Sequence, residues 1–113
     1  MYESGRYVAE RLEPVTDDQI QPNGVDLTLA AVERQTEPGR IGTDGKTVGK
    51  RETVAPEEGV YRLEPGAYIA RYGATVAVPD GHVGFGYPRS SLMRNPRMPD
   101  TAVWDGGSGG RGE

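Results

Sequence analysis

The sequence predicts a small all-β domain, either a sandwich or a barrel. Its apolar runs are short, several of them alternate apolar and polar residues, and turn signals separate them about every eight to twelve residues. The 17 glycines and 9 prolines punctuate these runs and form no repeat. No heptad pattern, internal repeat or long helical period is present, which argues against a helical bundle or a repeat protein.

The first third of the chain predicts short elements joined by tight turns. Residues 1–13 carry a weak apolar pattern that fits a short helix or an edge strand, and Pro14 ends it. Residues 16–19 fit a turn or a single helical turn. Pro22-Asn23-Gly24 is a strong turn signal, and residues 25–29 then alternate with the period of a half-buried strand.

The middle of the chain, residues 35–59, is poor in apolar groups and predicts an exposed hairpin or loop. Its turn is Asp44-Gly45, and its aliphatic anchors are Ile41 and Val48. From residue 60 onward the strand signal strengthens. Four segments predict strands, with turns between most of them: VYRL, AYIARYG, ATVAVP and HVGFGYP.

Composition limits the function classes. The chain of 113 residues predicts one domain, 1–113, and its lack of cysteine excludes disulfides, thiolate zinc sites and a cysteine nucleophile. No apolar run of about 18 residues predicts a membrane span, and no signal peptide pattern is present. We therefore expect a cytoplasmic protein. A net charge of −4 argues against a nucleic-acid partner.

The segment YPRSSLMRN, residues 87–95, is the first candidate site. Arg89, Ser90 and Ser91 offer a guanidinium fork, two hydroxyls and nearby backbone N–H groups, which suit phosphate oxygens. Leu92 and Met93 predict a short helical turn. The alternative is a serine cap beside solvated surface arginines.

Two acidic positions complete the candidates. Asp26 follows the Pro-Asn-Gly turn and is either a metal-linked acid or a solvated side chain. Asp105 ends the apolar run Ala-Val-Trp and opens a segment rich in glycine, which permits close backbone approach to a ligand. The segment is either a ligand-facing loop with a general base or a disordered tail. Val103 and Trp104 fit a buried strand end, and His82 fits a surface turn.

Taken in order, NGVDLTL, PRSSL and TAVWD with its following glycines resemble the three motifs of the dUTPase and dCTP deaminase superfamily. The resemblance runs from about residue 20 to the end. It implies a distorted antiparallel jelly roll (a dUTPase-like β-clip) that forms a homotrimer with active sites between subunits. It also implies hydrolysis of dUTP to dUMP and pyrophosphate with Mg²⁺.

The resemblance also assigns roles by position. Arg89 and Ser90 would contact phosphates, with Ser91 adding hydroxyl or backbone contacts. Asp26 would hold a magnesium-bound water, and Asp105 would be the general base that activates the attacking water. The remaining substrate contacts would come from Arg94, Gly107 and Gly110.

Two alternatives stay open. The deaminases also resemble PRSSLMR, and Arg94 matches an arginine they use, but they carry His-Arg where this chain has Ala102 and Val103. Glu113 stands about two positions too early for their catalytic glutamate. The second alternative is a non-catalytic nucleotide-binding domain. It is motivated by Ser108 and by the end of the chain at Glu113, where the family's further strands and closing arm would follow.

Ser108 occupies the position at which the family's third motif has an aromatic ring against the deoxyribose. We expect weaker rejection of ribonucleotides, because losing such a contact costs about 1 kcal/mol or more. Parallel measurement of hydrolysis of UTP and dUTP checks this prediction. Strong rejection of UTP would contradict it.

Overall fold

The structure is a computed structural model that describes residues 1–95, 97, 99 and 102–112; Glu113 lies outside them. Its helices are α1, Gly5–Ala9, and α2, Ser90–Arg94, with a 3-10 turn at Asp17–Gln19. The strands are β1 Leu12–Glu13, β2 Ile20–Gln21, β3 Gly24–Val25, β4 Leu29–Gln35, β5 Arg40–Gly42, β6 Gly45–Thr47, β7 Arg51–Thr53, β8 Tyr68–Tyr72, β9 Thr75–Ala77 and β10 Gly109–Arg111.

The chain divides into two compact units. The first comprises Met1–Asp26 and Ala74–Gly112, and the second comprises Leu27–Gly73. Every strand pair is antiparallel, and both helices have five residues. These short open sheets confirm the all-β prediction.

The first unit is built on the sheet β1-β9-β10. Leu12 of β1 and Gly110 of β10 both face Val76 of β9. Leu12 and Ala74 are buried in this unit. Since β10 is paired along its length, the glycine-rich segment is part of a sheet rather than a disordered tail.

Helix α1 packs directly on the backbone of the β2–β3 hairpin. Ser4 caps it, since the Tyr7 N–H donates to the Ser4 hydroxyl at 3.2 Å. Gly5 is buried, and its N–H donates to the carbonyl of Pro22 at 3.0 Å. A Cβ at Gly5 would lie 1.7 Å from the carbonyl oxygen of Gln21, so only glycine fits this contact.

A stack of side chains joins α1 to the turn at residues 79–81. The ring of Tyr7 stacks on His82 with centroids 5.5 Å apart, and the Arg11 guanidinium covers Tyr7 at 3.7 Å. The Nε2 of His82 lies 3.3 Å from both the Tyr7 hydroxyl and the Glu3 carboxylate. His82 is therefore a turn residue with structural contacts, as expected from the sequence.

The second unit is built on the sheet β7-β4-β8, with β4 in the centre. Val32 of β4 is buried on one face. On the other face the Glu33 carboxylate, whose side chain is only 13% exposed, contacts Arg51 at 3.0 Å and Arg71 at 3.3 Å. One carboxylate therefore neutralises charge on both outer strands.

A separate hairpin, β5–β6, turns at Asp44-Gly45, where Gly45 has φ of 139°. Ile41 is 92% exposed and Val48 is 76% exposed. The sequence predicts an exposed hairpin or loop here, and in the structure the two aliphatic side chains of the segment are not covered by apolar surface of the second unit.

Other sequence predictions have mixed outcomes. The strands predicted in AYIARYG and ATVAVP are confirmed as β8 and β9, and the helical turn at Leu92 and Met93 is confirmed as α2. The strand predicted over VYRL is wrong, since only Val60 forms a bridge there. HVGFGYP forms one bridge, at Gly84. In the described residues no helix has the length and apolar character needed to cross a membrane.

Replacing Glu33 by Gln tests the ion triad of the second unit. We expect the free energy of unfolding to fall by about 1–2 kcal/mol, less than for a fully buried pair, because the arginines are partly solvated. Urea denaturation measures this change. The control is Glu52→Gln, which removes an exposed pair with Arg34 and should change stability by less than about 0.5 kcal/mol. Equal effects of the two substitutions would contradict the prediction.

Candidate functional site

The β2–β3 hairpin fixes the position of Asp26. The Asp26 N–H donates to the Gln19 carbonyl at 2.8 Å, and the Gln19 side-chain amide donates to the Asp26 carbonyl at 2.9 Å. These reciprocal bonds hold the backbone on both sides of the residue. The backbone that carries the Asp26 side chain is therefore fixed, and the side chain itself is 27% exposed.

Two donors converge on one oxygen of the Asp26 carboxylate. Gln21 Nε2 donates to Asp26 Oδ2 at 3.1 Å, and Arg89 Nη1 forms an ion pair with the same oxygen. Among the described residues, no side chain or backbone group donates to Oδ1. The structure thus brings the predicted Asp26 and Arg89 together and leaves one carboxylate oxygen for another donor.

Arg89 stands at the start of α2, where its extended backbone (φ −71°, ψ 154°) turns into the helix. Its carbonyl accepts from the N–H groups of Leu92 and Met93. Ser90 and Ser91, the next two residues of the chain, are exposed. Arg94, in the last turn of α2, makes no ion pair with any other described residue.

Asp105 opens a tight turn. Its carbonyl accepts from the Ser108 N–H at 3.1 Å and from the Ser108 hydroxyl. Gly107 has φ of 83° and Gly110 has φ of 128°, conformations that favour glycine, as the sequence predicts for a segment needing backbone freedom. The Asp105 carboxylate is exposed and has no ion-pair or hydrogen-bond partner in the described part of the chain.

Backbone contacts anchor this turn from behind. The Gly107 N–H donates to the Val78 carbonyl at 2.8 Å, and the Val78 N–H donates to the Ser108 carbonyl at 2.9 Å. Trp104 pairs with Gly84 through two backbone hydrogen bonds of 2.8 and 3.0 Å. Asp105 is therefore held between a strand bridge and a sheet.

A cleft of about 120 Å³ lies beside the turn, and half-buried Trp104 forms part of it. Ser108 also lines the cleft. Its hydroxyl bonds to the Asp105 carbonyl within the turn, and its side chain offers no aromatic surface to the cleft. The buried strand end predicted at Val103 is wrong, since that side chain is 51% exposed. The other lining residues are Val76, Val78, Gly109, Gly110, Arg111 and Gly112.

The predicted residues fall into two groups. Asp26 and Arg89 meet, with Ser90, Ser91 and Arg94 on the same turn as Arg89, while Asp105, Gly107 and Gly110 lie on the other turn. Within the described ranges no hydrogen bond or ion pair joins the groups. The sequence analysis did not identify Gln19 and Gln21, although the Pro-Asn-Gly turn sets the hairpin register that places them beside Asp26.

Comparison with known proteins adds a family to this geometry. A family model described as dCTP deaminase-like matches residues 2–113. A protein of Halobacterium salinarum, named probable deoxyuridine 5'-triphosphate nucleotidohydrolase, is 58% identical over 119 residues, covering 100% of this chain and 72% of the relative.

Two more distant relatives carry the same name. The protein of Aeropyrum pernix is 46% identical over 83% of this chain and 59% of its own length. That of Methanothermobacter thermautotrophicus is 36% identical over 91% of this chain and 68% of its own length. No solved structure matches.

Substituting Gly106 by Ala tests the packing behind Asp105. The new methyl group would lie 2.9 Å from the His82 carbonyl oxygen and 3.2 Å from that of Pro79. Because backbone atoms cannot move away easily, we expect the free energy of unfolding, measured by thermal denaturation, to fall by about 1–3 kcal/mol. The control is Gly24→Ala, whose methyl group would meet no atom within 4 Å. If both variants melt at the wild-type temperature, the close packing is refuted.

Proposed function

The chain belongs to the dCTP deaminase-like family, and we propose that it is an enzyme that hydrolyses dUTP to dUMP and pyrophosphate. The observation that carries this proposal is the 58% identity, across the whole chain, with a protein named as a dUTP nucleotidohydrolase. The geometry agrees with it, because the two turns offer a cationic surface and a separate exposed carboxylate. A cytoplasmic location stays a prediction.

The Arg89 turn supplies what a triphosphate requires. A guanidinium can donate two parallel hydrogen bonds to two phosphate oxygens at once, and this bidentate geometry makes the interaction strong and specific. Arg89 is 64% exposed, so its side chain can leave Asp26 for a phosphate while its backbone stays fixed by α2. We assign phosphate contacts to Arg89, Ser90 and Ser91, with Arg94 adding positive charge.

The residues around Asp26 fit a magnesium ion held mainly by the substrate. No group of three or more carboxylate or histidine side chains suited to a metal occurs among the described residues. Mg²⁺ commonly keeps several waters and binds one or two carboxylates together with substrate phosphates. Asp26 Oδ1, which no described group contacts, would accept from such a water. When bound, the ion would neutralise charge on the phosphates.

Asp105 is the proposed general base. Its carboxylate is exposed and unpaired among the described residues, so it can accept a proton from a water that attacks the α-phosphorus. The attack releases pyrophosphate and leaves dUMP. The positive φ of Gly107 and Gly110 lets the backbone approach the nucleoside closely, and we assign substrate contacts to both.

The two groups of residues lead us to propose a homotrimer with shared sites. Each site would combine the Arg89 turn of one copy with the Asp105 turn of its neighbour. This arrangement explains why no contact joins the groups within the described part of one chain. It requires a closed ring, in which every copy gives one turn and receives another.

Deamination of dCTP is a second candidate, because the matching family model is described as dCTP deaminase-like. Ala102 and Val103 argue against it, since neither can donate or accept a proton at the positions where deaminases carry His-Arg. Parallel assays separate the two reactions: ammonia from dCTP indicates deamination, and pyrophosphate from dUTP indicates hydrolysis.

Mixing two inactive variants tests both the hydrolysis and the shared site. We expect Arg89→Ala and Asp105→Asn each to lower pyrophosphate release from dUTP with Mg²⁺ by about 100-fold or more. When the two variants are unfolded and refolded together in equal amounts, we expect up to about one site in four to be active. Such a site takes its intact Arg89 turn from the Asp105→Asn chain and its intact Asp105 turn from a neighbouring Arg89→Ala chain.

The matched control mixes Arg89→Ala with Ser90→Ala, which damage the same turn and should not rescue each other. No recovery in the first mixture would refute the shared site. Full activity of Asp105→Asn alone would refute the role of the carboxylate.

A further inference from the structure

The Gln21 side chain contacts the candidate site from the end of β2. Its Nε2 donates to Asp26 Oδ2 at 3.1 Å. An ionised carboxylate only accepts hydrogen bonds, so the contact requires the NH2 group of the amide rather than its oxygen. Gln21 is half-buried and the Asp26 side chain is 27% exposed, so the bond is partly shielded from water. A glutamine amide is thus committed to one oxygen of this carboxylate.

The register of the β2–β3 hairpin makes the contact possible. Gln21 pairs with Gly24, and the Asp26 N–H donates to the Gln19 carbonyl, which continues the same register. Residues directly opposite each other on antiparallel strands share a face, so Gln21 and Asp26 are diagonal neighbours on one face of the hairpin. The residue opposite Gln21 is a glycine, which places no side chain between the amide and the carboxylate.

The backbone of Gln21 is held as firmly as that of Asp26. Helix α1 packs on it so closely that a Cβ at Gly5 would lie 1.7 Å from the Gln21 carbonyl oxygen, and the Gly5 N–H donates to the next carbonyl, that of Pro22, at 3.0 Å. Arg89, the other donor to Oδ2, is 64% exposed. Gln21 is therefore the donor that is fixed in place, and Arg89 is the donor that can leave.

This difference decides what orients the Asp26 carboxylate when a nucleotide binds. Once Arg89 moves to phosphate oxygens, Gln21 is the side chain that still donates to Asp26 in the described part of the chain. The χ2 torsion of aspartate is broad and roughly two-fold, so a carboxylate without a donor exchanges its two oxygens. The bond from Gln21 selects Oδ1 as the oxygen that is left for a hydrated cation.

We propose that Gln21 is a positioning residue that holds the Asp26 carboxylate by Oδ2, so that Oδ1 accepts from a magnesium-bound water. The proposal rests on the proposed function, and it concerns cation binding rather than proton transfer. Gln21 acts through Asp26. Its contribution should therefore appear only with Mg²⁺ present, and only in a chain that keeps the Asp26 carboxylate.

Replacing Gln21 by Met tests the first condition, because Met keeps the length of the side chain and removes its donors. Calorimetry measures the affinity of the whole chain for α,β-imido-dUTP, a non-hydrolysable analogue, with Mg²⁺ and with a chelator. We expect Gln21→Met to weaken binding about 10-fold with Mg²⁺ and less than about twofold without it, since loss of an outer-shell partner lowers metal affinity by about this factor. The Mg²⁺ concentration for half-maximal dUTP hydrolysis should rise similarly, with kcat at saturating Mg²⁺ little changed.

The matched control is Gln35→Met in the second unit, where the amide donates to the Glu37 carbonyl at 3.2 Å. We expect it to bind the analogue as the wild type does under both conditions. Equal losses with and without Mg²⁺ in Gln21→Met would show a merely structural role and overturn the proposal. Wild-type affinity of Gln21→Met in the presence of Mg²⁺ would also overturn it.

A double-mutant cycle tests the second condition. Adding Gln21→Met to Asp26→Ala should leave the affinity for the Mg²⁺-bound analogue within about twofold of that of Asp26→Ala alone, because the carboxylate on which Gln21 acts is already gone. A further 10-fold loss in the double variant would mean that Gln21 acts by another route, and the positioning role would be refuted.

Failure of this proposal differs from failure of the proposed function. A chain that hydrolyses dUTP, but whose Gln21→Met variant keeps the full effect of Mg²⁺ on analogue binding, overturns the positioning role and leaves the hydrolysis standing. A chain whose Mg²⁺-dependent binding is lost in Gln21→Met, but which releases no pyrophosphate from dUTP, supports the positioning role and refutes the hydrolysis.

Discussion

The contact between the Asp26 carboxylate and the Arg89 guanidinium is the interaction on which the candidate site depends. It joins two distant segments of the first unit, and one partner is much more firmly placed than the other. Reciprocal bonds with Gln19 fix Asp26, whereas Arg89 is largely exposed beyond its backbone. A solvated ion pair contributes little stability by itself, so the contact serves mainly to align the hairpin with the α2 turn.

The same contact balances charge in a way that suits an anionic ligand. Arg89 has a carboxylate partner now and would have a phosphate partner with substrate bound, so the guanidinium is neutralised in both states. Asp26 would then keep Gln21 as a donor to Oδ2, and its Oδ1 would be the oxygen that accepts from a hydrated cation. The exchange leaves no charge without a partner, which is the condition for ligand binding at a half-buried site.

Local patterns in the sequence predicted much of this arrangement, and tertiary contacts explain where they failed. Period-two alternation identified β8 and β9, and glycine content identified the positive φ values at Gly107 and Gly110. Exposure of Val103 was not predictable, because an apolar residue at a strand end is buried only if another element covers it. The glutamines beside Asp26 were missed since their role depends on hairpin register, which composition does not encode.

The exposure of Val83, Phe85 and Tyr87 follows from a steric constraint inside the first unit. Trp104 approaches Gly84 so closely that a Cβ there would lie 3.3 Å from the Trp104 Cβ, so this face of the segment must be small. Large side chains in the segment can then stand only on the opposite face, at Val83, Phe85 and Tyr87. The contact that anchors Asp105 through Trp104 therefore also directs the aromatic rings outward. Anchoring the Asp105 turn and directing these side chains outward are two consequences of one strand pairing.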